Sequence, residues 1–143
     1  MNKLYSTFLV LAMLITALGF SACGGDDTEP RTEIIGQWEC TFANTTMYNL
    51  STDEIMDDDY KITIFTEGTI LVFYEDETCY TLYKGSKKYY TYKINGDVIV
   101  LDSHTTNNTY KFNISSGKLN LTSIITDSDK DVKFVCKAVF RKQ

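Results

Sequence analysis

The sequence predicts an all-β fold, an antiparallel up-and-down β-barrel, with a β-sandwich as the alternative. Three observations predict it. Short runs in which apolar and polar residues alternate follow one another from Ile34 onward, the pattern of half-buried strands. β-Branched and aromatic residues dominate those runs, as a pleated surface prefers. The single proline of the chain is Pro30, so no later residue is denied its place in a hydrogen-bonded ladder. About eight or nine consecutive strands joined by hairpins favour closure, because a closed sheet has no exposed edge.

The elements follow in order. The first strand covers 34–42, with Trp38, Cys40 and Phe42 at period two. A second run, 60–65, carries Ile62 and Ile64 in alternation, and 69–74 follows Glu67-Gly68. Further strands are expected at 78–83, 89–94, 98–101, 110–114, 119–121 and 134–140. Asn95-Gly96 is the strongest hairpin signal, since both residue types tolerate positive φ. Ser116-Gly117 has a similar part. The stretch 43–59 is the exception. Ser51-Thr52-Asp53-Glu54 has the form of a capping box, which predicts a short helix near 52–56 in a long first loop. In a barrel that loop would lie over one mouth.

Ahead of the strands the chain has a different composition. Lys3 supplies a positive start, and 8–20 is almost wholly apolar. That run suits a signal-peptide core and is short for a membrane span of about 20 residues. Phe20-Ser21-Ala22-Cys23-Gly24 then resembles the lipobox of bacterial lipoproteins, with Phe where Leu is usual. The resemblance implies cleavage after Ala22 and a diacylglyceryl thioether, with acyl chains such as palmitate, on Cys23. Residues 1–22 are then a leader, 23–33 a lipidated cysteine and polar spacer, and 34–143 the folded domain. Asp26 and Asp27 resemble the acidic export signal of surface lipoproteins in Bacteroides-type bacteria. The expected location is the outer membrane, on its periplasmic or cell-surface side.

Composition excludes other attachments. The formal net charge is −5 and becomes more negative when Lys3 leaves with the leader. Such a domain has no electrostatic footprint for nucleic acid and is repelled by anionic lipid. Lipid on Cys23 is therefore the expected membrane attachment, and a monomer the expected state.

Gly36-Gln37-Trp38 resembles the G-x-W motif of lipocalins, and Arg141 stands where that family has an arginine packed on the tryptophan. The region 34–142 resembles the short lipocalin-like domains of Bacteroides-type lipoproteins. The resemblance implies that Gly36, Trp38 and Arg141 close one end of the barrel, with the guanidinium over the indole face. The T-D-Y signature of animal lipocalins is absent, and no helical pattern follows the last strand.

Chemistry-bearing clusters are few. Asp102-Ser103-His104 spells a triad in a row, but neighbouring strand residues point to opposite faces and cannot converge. A loop at a strand end is the better reading. The 127–131 stretch imitates the start of a calcium loop and then fails, with Val132 in the glycine position and Ala138 in that of the bidentate glutamate. Asp57, Asp58 and Asp59 read as a solvated strand start. The 84–93 stretch interleaves lysine with tyrosine, as surfaces that stack on nucleic acid or sugar do, although Tyr90, Tyr92 and Ile94 share one face and read as inside wall. No metal site, cofactor or enzymatic activity is expected. The four cysteines include no C-x-x-C pair. Cys40 and Cys136 lie on the inward faces of the first and last strands, which pair in a closed barrel, so they form a candidate disulfide.

Two functions remain. In one, the interior binds a small apolar or amphipathic ligand, with Phe42, Ile62, Tyr90, Tyr92, Tyr110, Phe112 and Phe134 as candidate wall. In the other, the barrel is filled by its own side chains and is a structural or interaction module that contacts an envelope protein or another partner.

Overall fold

Each alternating run pairs with the next along the chain. The computed structural model describes residues 30–60 and 65–143. In them one short helix, α1 (Pro30–Ile34), precedes nine strands: β1 (Gly36–Asn49), β2 (Ile55–Asp57), β3 (Ile70–Phe73), β4 (Thr78–Tyr83), β5 (Ser86–Asn95), β6 (Val98–Ser103), β7 (Thr106–Ser115), β8 (Lys118–Asp127) and β9 (Val132–Lys142). Every pairing is antiparallel, in the order β2-β1-β3-β4-β5-β6-β7-β8-β9, and β1 also pairs with β9. Eight strands, β1 and β3 to β9, thus close into an up-and-down barrel, and the sandwich alternative falls. The leader, Cys23, Asp26 and Asp27 lie outside the described residues.

The turns explain the register. Lys84-Gly85 and Ser116-Gly117 each have two positive φ values, which suits the right-handed twist of the strands they join. The Asn95-Gly96 signal is right in kind and one residue early. Asn95 pairs with Val98, so Gly96 and Asp97 make the turn.

Strand β1 is longer than its alternation predicts. It runs past Phe42 to Asn49 and pairs with β9 from Trp38↔Lys142 to Asn49↔Val132. A β-bulge lies between Cys40 and Phe42, where Thr41 is the extra residue. A bulge reverses the parity of everything beyond it. Trp38 and Cys40 therefore face inward, and after the bulge Ala43 and Thr45 do, while Phe42 turns out.

Two expectations for the next segment are corrected. Residues 52–56 are not helical. Asn49 Oδ1 accepts from the backbone N–H groups of Ser51 and Thr52, at 3.0 and 2.8 Å, and turns the chain into β2. The Asn49 carboxamide takes the Ser51 N–H that a capping box would give to Glu54, while the Glu54 N–H donates to Thr52 Oγ1. The second expected strand, 60–65, is not one at either described end: Tyr60 and Phe65 lie outside any strand, and Ile62 and Ile64 lie outside the described residues.

Part of the stretch assigned to the spacer, 30–33, is helical together with Ile34. Pro30–Ile34 forms one helical turn whose Ile34 is fully buried beneath the barrel end. Pro at a helix start forfeits no hydrogen bond, since the first N–H groups have no partner within the helix. Arg31 reaches Glu77, in the β3–β4 turn, at 2.5 Å.

Candidate functional site

The interior is where the sequence places a ligand, so its contents decide what the barrel can do. At the closed end Trp38 is fully buried, and its Nε1–H donates to the Ile34 carbonyl at 2.7 Å. The cation over its ring is Lys142, 5.2 Å from the centroid, and not Arg141. Register gives the reason: Trp38 pairs with Lys142, while Arg141 pairs with Glu39 and points outward. Lys142 Nζ also donates to the Glu33 carbonyl at 3.1 Å and so ties α1 to β9. Gly36 has φ of +124°, a backbone angle that favours glycine, where α1 passes into β1.

Among the described candidate wall residues, Tyr92, Tyr110 and Phe112 form core, and Ile62 lies outside the described residues. Tyr92 is buried, stacks edge-on against Phe73 at 5.0 Å and donates its hydroxyl to the Tyr74 carbonyl at 2.7 Å. Tyr110 and Phe112 are buried. Burial pushes the Tyr110 phenol well above its ordinary value. Tyr90 is half-buried, with Lys88 Nζ 5.2 Å from its ring. Phe134 is half-buried against Tyr60, ring centroids 5.1 Å apart. Phe42 is the exception: it is 46% exposed on the outer surface, turned there by the bulge at Thr41.

The side chain that fills the middle is Phe65, which sequence reasoning assigned to a strand end. Its ring lies 5.1 Å from Phe140, edge to face, and 5.7 Å from Tyr110. The chain reaches it from Tyr60, whose N–H donates to the Thr45 carbonyl, and returns through Gly68 and Thr69 to the backbone of Cys40. What is left between Phe65, Tyr110, Leu121 and Cys136 is a void of about 10 Å³. One water needs that much, and a drug-sized ligand needs a pocket of several hundred Å³. Among the described residues no buried side-chain nitrogen or oxygen lacks a hydrogen-bond partner.

The cysteines stay apart. Cys40 pairs with Phe140, whereas Cys136 pairs with Thr45. Four residues of β9 separate the two levels, about 13 Å at strand rise, beyond the ~4.4–6.8 Å Cα reach of a disulfide. Cys40, Cys79 and Cys136 are free and buried, which corrects the candidate bridge. Burial pushes the Cys40 thiol up to about 11 and that of Cys79 up to about 12. Neither is a nucleophile near neutral pH.

The remaining clusters have structural roles. Asp131 accepts from Ser51 Oγ at 2.6 Å and Asn49 Nδ2 at 3.1 Å, which fastens the β8–β9 turn to the β1–β2 turn. Lys133 pairs with Asp53 across the same end. Asp127 Oδ1 accepts from the Lys130 N–H. His104 sits in the β6–β7 turn, with Asp102 exposed and Ser103 half-buried on the strand before it. Among the described residues no three His, Cys, Asp or Glu side chains are grouped to hold a metal ion.

Outside the barrel the arrangement is different. Tyr89, with the opposite parity to Tyr90 and Tyr92, points outward and is 66% exposed. It pairs with Tyr80 on β4, ring centroids 5.9 Å apart, and Tyr80 lies 6.1 Å from Tyr74, itself 48% exposed. Three tyrosines thus form a row across the outer face of β4, β5 and the end of β3. The odd member of the KKYYTYK stretch is the signal that could have found it. No family model matches the chain, and no curated protein or solved structure matches it either.

Proposed function

We propose that this chain is a lipid-tethered, non-catalytic interaction module of the bacterial outer membrane. In this reading the barrel is a packed scaffold, and contacts are made by its outside and its loop rims. The observation that carries it is the filled interior: Phe65 stands between Tyr110 and Phe140, and about 10 Å³ remains beside it. A carrier that binds by enclosing its ligand needs the space that these side chains take. Burial keeps the Cys40 and Cys79 thiols protonated near neutral pH, which supports the non-catalytic reading.

The tether rests on Phe20-Ser21-Ala22-Cys23-Gly24 and on an acidic domain that has no electrostatic attraction to a membrane of its own. One experiment tests both halves. The chain is expressed with its leader in a bacterial host and purified from membranes, and the mature N-terminus is identified by mass spectrometry. The same preparation is then titrated with fatty acids and a sterol by dye displacement. A diacylated Cys23 and no saturable displacement are expected. A mature N-terminus elsewhere removes the tether, and saturable binding at one site per barrel removes the packed scaffold.

A further inference from the structure

The tyrosine row borders a groove with a different chemistry. Strands β5 and β6 pair only as far as Thr91↔Asp102. Beyond that pair they part, and the space between Tyr89 on one side and the β6–β7 turn on the other is a groove of about 670 Å³. Thr78, Thr91 and Asp102 line it from one register row, Tyr90 from β5, Ser103 from the end of β6 and His104 from the turn. Ser103 Oγ is occupied within the turn, 2.8 Å from Thr106 Oγ1 and accepting the Thr106 N–H at 3.2 Å, so it holds His104 at the rim. Thr78 Oγ1 donates to Asp76 Oδ1 at 2.6 Å, so the groove presents the Thr91 hydroxyl, one carboxylate and one imidazole beside an exposed ring. Lys87 Nζ lies 4.2 Å from the centre of Tyr80 and 6.0 Å from that of Tyr89. It occupies a face of the middle ring and leaves Tyr89 as the most exposed platform of the three.

Three ligand classes can be weighed against these groups. A phosphate-bearing chain meets the Asp102 carboxylate and a net charge of −5, and although Lys87 lies over the tyrosine row, no lysine or arginine lines the groove itself. An apolar peptide or lipid needs a predominantly apolar pocket; here Tyr89 and Tyr90 supply two rings, but the other five lining residues, Thr78, Thr91, Asp102, Ser103 and His104, are polar. A pyranose has an apolar C–H face and a rim of hydroxyls. The first suits a flat tyrosine ring, and the second suits a carboxylate acceptor with hydroxyl and imidazole neighbours. We infer that the Tyr74–Tyr80–Tyr89 face and the adjoining groove bind a neutral glycan. Tyr89 is the stacking platform, Asp102 accepts sugar hydroxyls, and His104 and Thr91 complete the polar rim. The inference rests on the reading that the barrel acts through its outside, and it names the partner class for that surface.

The test is affinity electrophoresis of the full mature chain through gels containing a soluble β-glucan, α-glucan, mannan or xylan, followed by calorimetry on any glycan that retards it. At least one neutral glycan is expected to bind. Tyr89→Ala is expected to weaken that binding by about tenfold, the loss of one stacking ring. Asp102→Asn weakens it several-fold, while Ile124→Ala, on an exposed position of β8, leaves it unchanged. Thermal melts of the three variants, matching the unsubstituted chain, exclude misfolding as the cause. Two results overturn the inference: no retardation by any neutral glycan, or binding that Tyr89→Ala and Asp102→Asn leave intact. The fatty-acid titration on the same preparation separates the two readings. If glycans and fatty acids both fail to bind, the glycan site falls and the packed scaffold stands. If fatty acids bind saturably, the scaffold reading falls.

Discussion

At the residue scale, the structure turns on which of two neighbours faces which way. Trp38 was read as a plug through the resemblance of Gly36-Gln37-Trp38 to a G-x-W motif, and it is fully buried. Its cation was not legible, because Arg141 and Lys142 differ by one residue and hence by a face, and only the register with β1 chooses between them. Lys142→Ala is expected to cost about 0.5–1 kcal/mol through the lost ring contact. Arg141→Ala, at an exposed outward position, is expected to stay within about 0.5 kcal/mol of the unsubstituted chain. Urea denaturation of the two variants checks the order, and a larger loss at Arg141 contradicts it.

The buried thiols make a second residue-scale prediction. Cys40 and Cys79 titrate near 11 and 12 in the folded chain, against an ordinary value of 9.0. Above pH 9 the unfolded chain releases these protons first, so it binds fewer than the native state. Stability from this source is complete below pH 9 and drains as pH rises through 11 and 12. The urea midpoint should fall over that range, and Cys79→Ala should flatten part of the fall. Thiol counting adds a check: with Cys23 acylated, the unreduced chain should show Cys40, Cys79 and Cys136 as thiols only after unfolding. A Cys40–Cys136 bond would leave Cys79 alone.

At the element scale, hairpins and strands were readable because their signals are local. Ser116-Gly117 and the alternation of β7, β8 and β9 needed no knowledge of neighbours. What was missed depends on long-range pairing. The bulge at Thr41 has no local mark, since threonine is an ordinary strand residue, yet it moves Phe42 outward and brings Thr45 in. The helix expected near 52–56 failed because Asn49, just upstream, takes the Ser51 and Thr52 N–H groups and also bonds to Asp131 on a distant turn. Asn49→Ala is expected to cost about 1 kcal/mol. Faster amide exchange confined to Ser51, Thr52 and β2 should accompany it. Unchanged exchange there would assign the turn to some other contact.

At the scale of the whole molecule, the barrel closes and then fills itself. Composition and alternation made closure legible, since nine antiparallel runs with abundant aromatics favour a sheet without edges. Whether a cavity remained was not legible, because it depends on Phe65, a single side chain delivered from a segment outside the strands. Removing that ring is expected to cost about 3–5 kcal/mol, as for other buried phenylalanines, and to leave a hollow between Tyr110 and Phe140. The outer tyrosine row, with its exposed rings at Tyr74 and Tyr89, is where a filled scaffold of this shape has surface to offer.

The most direct measurement of the packed barrel is a paired titration of the unsubstituted chain and Phe65→Ala with a fluorescent fatty acid. The packed interior predicts no saturable binding to the unsubstituted chain, and binding that appears only when the ring is removed. Saturable one-site binding to the unsubstituted chain, blocked by bulkier substitutions at Tyr110 or Leu121, would contradict it.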